Sequence, residues 1–137
     1  MASHKVSTNW KGNMLFESDN PSKNTVFVGI EDKQALSPKA LMLSSLAACS
    51  GLDVVSLLDK MRASVADFKI DVTAELTEDD PKYYKTVLID YHFYDDNLNE
   101  KKIHKAVNLS IEKYCGVLEM FRQFATVETA IHFHKKE

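Results

Sequence analysis

The stretch SPKALMLSSLAACSGLDVV, residues 37–55, decides the fold of this chain. Ser37 can accept a hydrogen bond from a free backbone N–H, and Pro38 at the first helical position gives up no hydrogen bond. A mostly apolar run follows these two residues. We therefore predict a helix that begins at Pro38 and continues to about Arg62.

Cys49 lies in the middle of this predicted helix. At about 100° per residue, the residues within about 40° of Cys49 form a mixed, mostly polar face: Met42, Ser45, Asp53, Ser56 and Lys60. The opposite face is apolar and partly small: Ala40, Leu43, Ala47, Gly51, Val54 and Leu58. Two interpretations stay open here. Either the polar face is an ordinary solvated surface that happens to carry a cysteine, or it borders a wet cleft.

Short strands are predicted on both sides of the helix. Turn-forming residues separate three candidates before it: KVSTNW (5–10), MLFES (14–18) and NTVFVGI (24–30). Two segments after it alternate in apolar character and predict an antiparallel pair: DFKIDVTAEL (67–76) and KTVLIDYHFY (85–94). The segment TVETAIHFHKKE, residues 126–137, predicts a final strand.

A second helical region precedes this last strand. Asn97 and Glu100 have the spacing of a capping box. Apolar residues then continue at helical spacing: Ile103, Val107, Ile111, Tyr114 and Leu118. Cys115 falls within this region, and Gly116 is placed to break or kink it. The order of elements is typical of an α+β protein, and we expect one domain over residues 1–137.

Composition limits the class of protein. The 137 residues are 45% hydrophobic and 27% charged, with a formal charge of -3, which is typical of a soluble globular protein and predicts no nucleic-acid partner. The longest uncharged run, residues 40–52, is shorter than the roughly 20 residues that cross a membrane. Residues 1–10 lack an apolar signal-peptide stretch, so we expect a cytoplasmic protein without a membrane partner.

The two cysteines, Cys49 and Cys115, have neither C-x-x-C nor zinc-ligand spacing. In a reducing compartment they are either inert buried thiols or a transient redox pair. An ordinary thiol with a pKa near 8.5 is only about 3% ionised at pH 7, so a reactive cysteine needs a cationic neighbour. Asp53, one turn after Cys49, acts in the opposite direction. The helix itself therefore supplies no activating group.

Two segments of the chain resemble a known family. SPKALMLSSLAACSGLDVV and AVNLSIEKYCGV (106–117) are similar to the two cysteine helices of the OsmC/Ohr superfamily, and closest to its YhfA-like branch. The order of elements also agrees over essentially the whole chain. The resemblance implies an OsmC-like fold in which antiparallel sheets wrap around central helices of an intertwined homodimer.

The resemblance also implies a chemistry. In the peroxidase members, the cysteine of the first helix attacks a hydroperoxide and that of the second helix resolves the product, and these roles fall on Cys49 and Cys115. Ser45 and Asp53, on the same face as Cys49, are candidate substrate-binding residues. The implied partners are a small hydroperoxide and an external thiol reductant. Neither an organic cofactor nor a metal is expected.

The chain departs from that pattern at the activating residues. Peroxidase members use an arginine from the N-terminal strands, fixed by a glutamate ten residues before the first cysteine. Residues 1–48 here contain no arginine, and the glutamate position holds Lys39. Lys5, Lys11, Lys23 and Lys33 could supply charge, although an ammonium lacks the planar fork of a guanidinium. We expect an oxidative pair with slow peroxide turnover or another substrate.

The sequence also offers two alternatives to a peroxidase site. The first is a non-catalytic dimer that binds a small apolar or thiol-reactive ligand in a pocket lined by Met42, Leu46, Leu52, Met120 and Phe121. The second is a metal site formed by His132 and His134, which share one face of the last predicted strand. No third ligand is visible near these histidines in the sequence, so we predict no metal site.

Overall fold

The first three strands form a small antiparallel sheet. The computed structural model describes residues 2–136, and its contacts divide the chain into two compact units, Met1–Leu43 and Ser44–Glu137. The sheet of the first unit has the order β1 (Ser7–Trp10), β2 (Leu15–Asp19) and β3 (Thr25–Gly29), which confirms the three predicted strands. Gly29 is required there, because an added Cβ would lie only 2.4 Å from the Met14 carbonyl oxygen.

Helix α1 (Pro38–Lys60) begins as predicted, since Ser37 Oγ accepts the Ala40 N–H at 3.3 Å. It ends two residues before the predicted Arg62. Arg62 has a left-handed φ of 57°, and the N–H groups of Arg62 and Ala63 donate to the carbonyls of Asp59 and Leu58. These two bonds are those of a Schellman motif, here formed without the usual glycine.

The buried stripe of α1 differs from the predicted one. It consists of Leu46, Ser50, Val54 and Leu58, spaced four residues apart. Val54 and Leu58 were predicted, whereas Ser50 is buried because its hydroxyl finds partners inside the protein. On the predicted apolar side, Ala47 and Gly51 are only half-buried. The neighbouring Leu52 and Val55 are 72% and 56% exposed.

Helix α1 is also long and apolar enough to cross a membrane, by length and composition alone. This is weak evidence, because the core helix of a soluble protein passes the same test. The fully buried residues of α1 contact protein, and one of them, Ser50, is hydrogen-bonded to other elements. These contacts indicate that α1 is part of a folded core.

The second unit contains a mixed sheet in the order β4–β5–β6. Its strands are β4 (Asp67–Leu76), β5 (Tyr84–Tyr94) and β6 (Thr126–His134). The antiparallel β4–β5 pair is confirmed, but β6 is parallel to β5, which differs from the purely antiparallel sheets we expected. The helical region between β5 and β6 acts as a crossover that returns the chain to the same end of the sheet. The α+β class is confirmed.

The second helical region consists of three parts: α2 (Glu100–Leu109), a π-helical turn (Ser110–Tyr114) and α3 (Gly116–Arg122). The predicted cap at Asn97 is wrong, because Asn99 Oδ1 accepts the Lys102 N–H at 3.1 Å. The break comes at Cys115, whose backbone is extended, and Gly116 opens α3. The second unit buries one core: Leu46, Val54, Leu58, Val87, Ile89, Tyr91, Phe93, Ile103, Ala106, Val107, Leu118 and Phe121.

Three imidazoles stack on the sheet face opposite the core. His92 on β5 has ring centroids 4.6 Å from His132 and 5.1 Å from His134, both on β6. His92 Nδ1 lies 2.9 Å from His134 Nε2, and His132 Nε2 lies 2.8 Å from Asp90 Oδ1. Burial lowers the pKa of His92, and His132 lowers it further. The cluster therefore favours a neutral His92.

The cap of α2 gives a stability prediction. Asn99→Ala leaves the Lys102 N–H without its partner, so we expect it to lower the free energy of unfolding by about 1 kcal/mol. Asn97→Ala is the matched control and should change it by less than about 0.5 kcal/mol. Urea unfolding of both variants measures the difference. A larger loss for Asn97→Ala would contradict the assignment.

His92 gives a prediction of pH dependence. Its folded-state pKa lies below the ordinary value of 6.5, so the unfolded chain takes up this proton first as the pH falls. Stability attributable to neutral His92 is complete above that value and is lost below it. When the pH is lowered from about 7 to about 5, we expect the melting temperature of His92→Gln to decrease by less than that of the unsubstituted protein. His4→Gln, at an exposed position, should behave like the unsubstituted protein in thermal unfolding. Parallel pH profiles for all three proteins would contradict the prediction.

Candidate functional site

The structure brings Cys49 and Cys115 together within the second unit. Cys49 lies in the middle of α1, and Cys115 lies at the break between the π-helical turn and α3. Their side chains are in hydrogen-bonding contact, and both are free thiols. Cys49 is half-buried, whereas Cys115 is only 4% exposed. One thiol of the pair is therefore accessible, and the other lies behind it in the core.

The π-helical turn positions Cys115. The Cys115 N–H donates to the Ser110 carbonyl at 2.9 Å, which is the wider ring of a π-helix. The chain then becomes extended at Cys115, and Sγ accepts the Leu118 N–H at 3.4 Å. The thiol thus serves as the cap of α3 while it faces Cys49. Single π turns of this type are frequent at functional sites.

The environment keeps Cys115 protonated. Burial raises the pKa of Cys115 to about 12, and contact with Cys49 and the charge of Asp53 add to this effect. The Leu118 N–H opposes the increase in pKa but is outweighed. The side chains that act on this thiol, Cys49 and Asp53, include no cation. Cys49 is consequently the candidate nucleophile, and Cys115 is its neutral neighbour.

A chain of buried oxygens lies beside the cysteines and joins three elements. The Tyr91 hydroxyl is 2.7 Å from Ser50 Oγ, which is 2.8 Å from Ser110 Oγ. Ser110 Oγ in turn donates to Asp53 Oδ2 at 3.0 Å. Both serines are fully buried, and burial raises the pKa of Tyr91 to about 12. We call these four residues the hydroxyl chain.

Sequence reasoning missed three members of the hydroxyl chain: Ser50, Tyr91 and Ser110. Two signals were available. Ser50 is polar within an apolar helical run, and Tyr91 falls at an inward position of the alternating strand β5. Neither signal reveals the partner, because Ser50 and Ser110 are 60 residues apart in the chain.

The other predicted site residues are placed differently. Asp53 is half-buried beside the cysteine pair, whereas Ser45, one turn before Cys49, is exposed. Among the apolar residues expected to line a ligand pocket, Leu46 and Phe121 are core residues. Met42, Leu52 and Met120 are exposed. These five side chains therefore serve the core and the surface, and the structure does not gather them into a lining.

The predicted histidine pair occupies one face of β6, but His92 lies against it. The ring nitrogens contact one another, Asp90 or Asp71. Within residues 2–136, no group of three or more His, Cys, Asp or Glu side chains is arranged to hold a metal ion. The arrangement that can carry chemistry is the cysteine pair with Asp53, whose reactive atoms are two sulfurs and one carboxylate.

Comparison with known proteins supports the fold. Protein YhfA of Escherichia coli (strain K12) is 29% identical over 119 residues, 86% of this chain and 89% of its own. The crystal structure of a hypothetical protein from Aquifex aeolicus VF5 superposes with a TM-score of 0.88 at 31% identity, over 100% of both chains. The organic hydroperoxide resistance protein OhrB of Bacillus subtilis gives 0.64 at 16% identity, over 95% and 98% of the two chains, which shows a shared fold.

The family model described as OsmC-like protein matches residues 31–130, a range that contains both cysteines and the whole hydroxyl chain. This match confirms the family that the two cysteine helices resemble. The chain belongs to the OsmC-like proteins.

Proposed function

We propose that this protein reduces organic hydroperoxides through Cys49 and Cys115. The observation that carries the proposal is the contact between an accessible thiol on α1 and a buried thiol at the start of α3. Such a pair is suited to attack by the first and resolution by the second. The name of the Bacillus subtilis neighbour, an organic hydroperoxide resistance protein, favours the same substrate class.

The reaction proceeds in three balanced steps. The Cys49 thiolate attacks one peroxide oxygen of ROOH, the O–O bond breaks, and the departing alkoxide takes a proton to give ROH. Cys49 is then a sulfenic acid, which Cys115 attacks to form a disulfide and release water. Two equivalents of an external thiol reduce the disulfide and restore both cysteines. No metal or organic cofactor enters these steps.

Slow attack by Cys49 is expected on electrostatic grounds. Residues 1–48 contain no arginine, and Lys39 stands where peroxidase members carry a glutamate. The half-buried Asp53 lies one turn after Cys49, and its negative charge disfavours a nearby thiolate. Turnover should consequently be weak unless the substrate is itself strongly electrophilic.

A second candidate is a non-catalytic protein that binds a small apolar ligand. The exposed apolar residues of α1, Leu52 and Val55, border a shallow depression that also includes Ala47, Gly51 and Ile70. Such a protein would raise its melting temperature with ligand even as the Cys49→Ser variant.

We also propose that the protein is a cytoplasmic homodimer. All fully buried hydrophobic side chains among the described residues belong to the second unit, while Trp10 and Phe16 of the first sheet are 67% and 42% exposed. A three-stranded sheet needs its apolar face covered. A second copy of the chain could cover both this sheet and the small-residue side of α1.

Exposure to cumene hydroperoxide tests the reaction. After one equivalent, the reduced protein should lose two hydrogens in intact mass, with a Cys49–Cys115 link in the peptide map. Cys115→Ser should stop at the sulfenic acid, one oxygen heavier, and Cys49→Ser should keep its mass. The controls separate directed chemistry from general oxidation, because Cys115 remains available in Cys49→Ser.

An unchanged mass with two free thiols in the unsubstituted protein would overturn the peroxidase proposal. In that case, a ligand-dependent melting temperature in Cys49→Ser would identify the binding protein instead.

Light scattering after gel filtration tests the dimer. We expect about twice the chain mass for the unsubstituted protein, and the monomer mass for Val55→Asp, because a buried unpaired carboxylate opposes association. Tyr83→Asp, which adds the same charge in an exposed loop, should stay dimeric. Circular dichroism verifies that each variant is folded. A monomeric unsubstituted protein would disprove the proposal.

A further inference from the structure

We propose that the Asp53 carboxylate accepts the Cys115 proton when the disulfide forms, and that Ser110 is the positioning residue that holds this carboxylate in place. This inference rests on the proposed reduction of hydroperoxides. Asp53 is thereby expected to speed disulfide formation, whereas its negative charge is expected to slow the first attack by Cys49.

Asp53 is the acidic end of the hydroxyl chain. Asp53 follows Cys49 by one helical turn, so the two side chains share a face of α1. Its Oδ2 accepts from Ser110, whose carbonyl accepts the Cys115 N–H. The negative charge of Asp53 adds to the raised pKa of the Cys115 thiol, after burial and Cys49. Among the described residues, no hydrogen bond to the second carboxylate oxygen, Oδ1, is present, which leaves Oδ1 for a proton.

Cys115 needs such a base. Its thiol is 4% exposed, so bulk water has little access to its proton. Burial raises its pKa well above the ordinary value, so the thiol stays protonated at pH 7. Attack on the sulfenic acid by the neutral thiol therefore requires that the proton leave as the S–S bond forms. Proton transfer to a positioned carboxylate supplies this pathway.

The proton balance closes within the site. Asp53 takes the proton of Cys115 as the Cys115 sulfur attacks the Cys49 sulfur. The S–O bond of the sulfenic acid breaks, and the departing hydroxide takes the same proton from Asp53 and leaves as water. Asp53 returns to its ionised form, and no further oxidant or reductant is consumed in this step.

The hydroxyl chain fixes the carboxylate in this arrangement. Ionised Asp53 can only accept hydrogen bonds, so Ser110 donates to it and Ser110 Oγ can accept from Ser50 Oγ, which can accept from Tyr91. Ser110 Oγ also lies 3.4 Å from the Ser50 carbonyl, but its shorter bond, 3.0 Å, is to Asp53, so the chain is polarised toward the negative charge. Ser110 in this way couples the Asp53 position to the turn that carries Cys115.

Asp53→Asn distinguishes a proton-accepting role of Asp53 from a purely electrostatic one, because the two roles predict opposite changes in the rate of disulfide formation. The amide removes the negative charge, so sulfenic acid formation on Cys49 should become faster or stay unchanged. The amide cannot take a proton, so we expect disulfide formation to become about 100-fold slower. If Asp53 acted only as a charge, its loss would favour the Cys115 thiolate, and disulfide formation would become faster.

The experiment is a single turnover of the full-length protein with excess cumene hydroperoxide. Quenched samples are weighed intact, so that the sulfenic acid and the disulfide are followed separately by mass. Asp59→Asn is the matched control, since it removes an exposed carboxylate from the same helix and should leave both rates unchanged. In Asp53→Asn, the remaining disulfide formation should increase about tenfold per pH unit, as expected for reaction through free thiolate.

Ser110→Ala tests the positioning role. It should slow disulfide formation by about tenfold with little effect on sulfenic acid formation, and Ser110→Thr, which restores a hydroxyl, should recover part of the rate. A merely structural defect would slow both steps together. Equal or faster disulfide formation in Asp53→Asn would overturn the inference while the peroxidase function stands. Absence of any sulfenic acid in the unsubstituted protein would overturn both.

Discussion

The hydrogen bond between Ser50 and Ser110 joins α1 to the π-helical turn at 2.8 Å, and both serines are fully buried. A buried hydroxyl without a partner is costly, so each serine constrains the other. Their neighbours are arranged by the same contact: Cys49 precedes Ser50, and Cys115 bonds through its N–H to the Ser110 carbonyl. The meeting of the two thiols therefore depends on an interaction between residues that carry no sulfur.

The same contact explains the electrostatic character of the site. Ser110 donates to Asp53 and so retains a negative charge beside two thiols, where a reactive cysteine would gain more from a cation. The arrangement keeps Cys115 neutral, with a pKa of about 12, and able to donate a hydrogen bond to the sulfur of Cys49. A neutral donor is a weaker aid to a thiolate than a guanidinium, but it requires no charged group inside the core.

Local signals in the sequence predicted most elements of the fold. The start of α1 follows from adjacent residues, Ser37 and Pro38. Its end depends on the left-handed conformation of Arg62, which was not predicted because that position holds no glycine. The capping box predicted at Asn97 is two residues too early, because the side chain of Asn99 caps α2. The π-helical turn and the parallel pairing of β6 have no signature in apolar spacing, because both are set by how the crossover returns to the sheet.

The candidate site was predictable in part for a different reason. The pairing of Cys49 with Cys115 came from resemblance to a family, since periodicity gives no information on contacts across 66 positions of the chain. The hydroxyl chain needed the structure, because Ser50 lies on the border between the two faces that helical projection assigns.

Pairing and activation of the thiols are thus carried by separate parts of the chain. The residues that pair them, Ser50 and Ser110, belong to a close-packed core in which the loss of either hydroxyl would remove one of the other's buried hydrogen bonds. The activating residues of the peroxidase members come from N-terminal strands, and residues 1–48 here lack the arginine. Because the core is needed for folding, the geometry that pairs the two thiols is retained even where the activation of Cys49 is weak. In the proposed reaction, the first attack by Cys49 is therefore expected to limit the rate, and Asp53 is expected to aid the second step, in which Cys115 loses a proton.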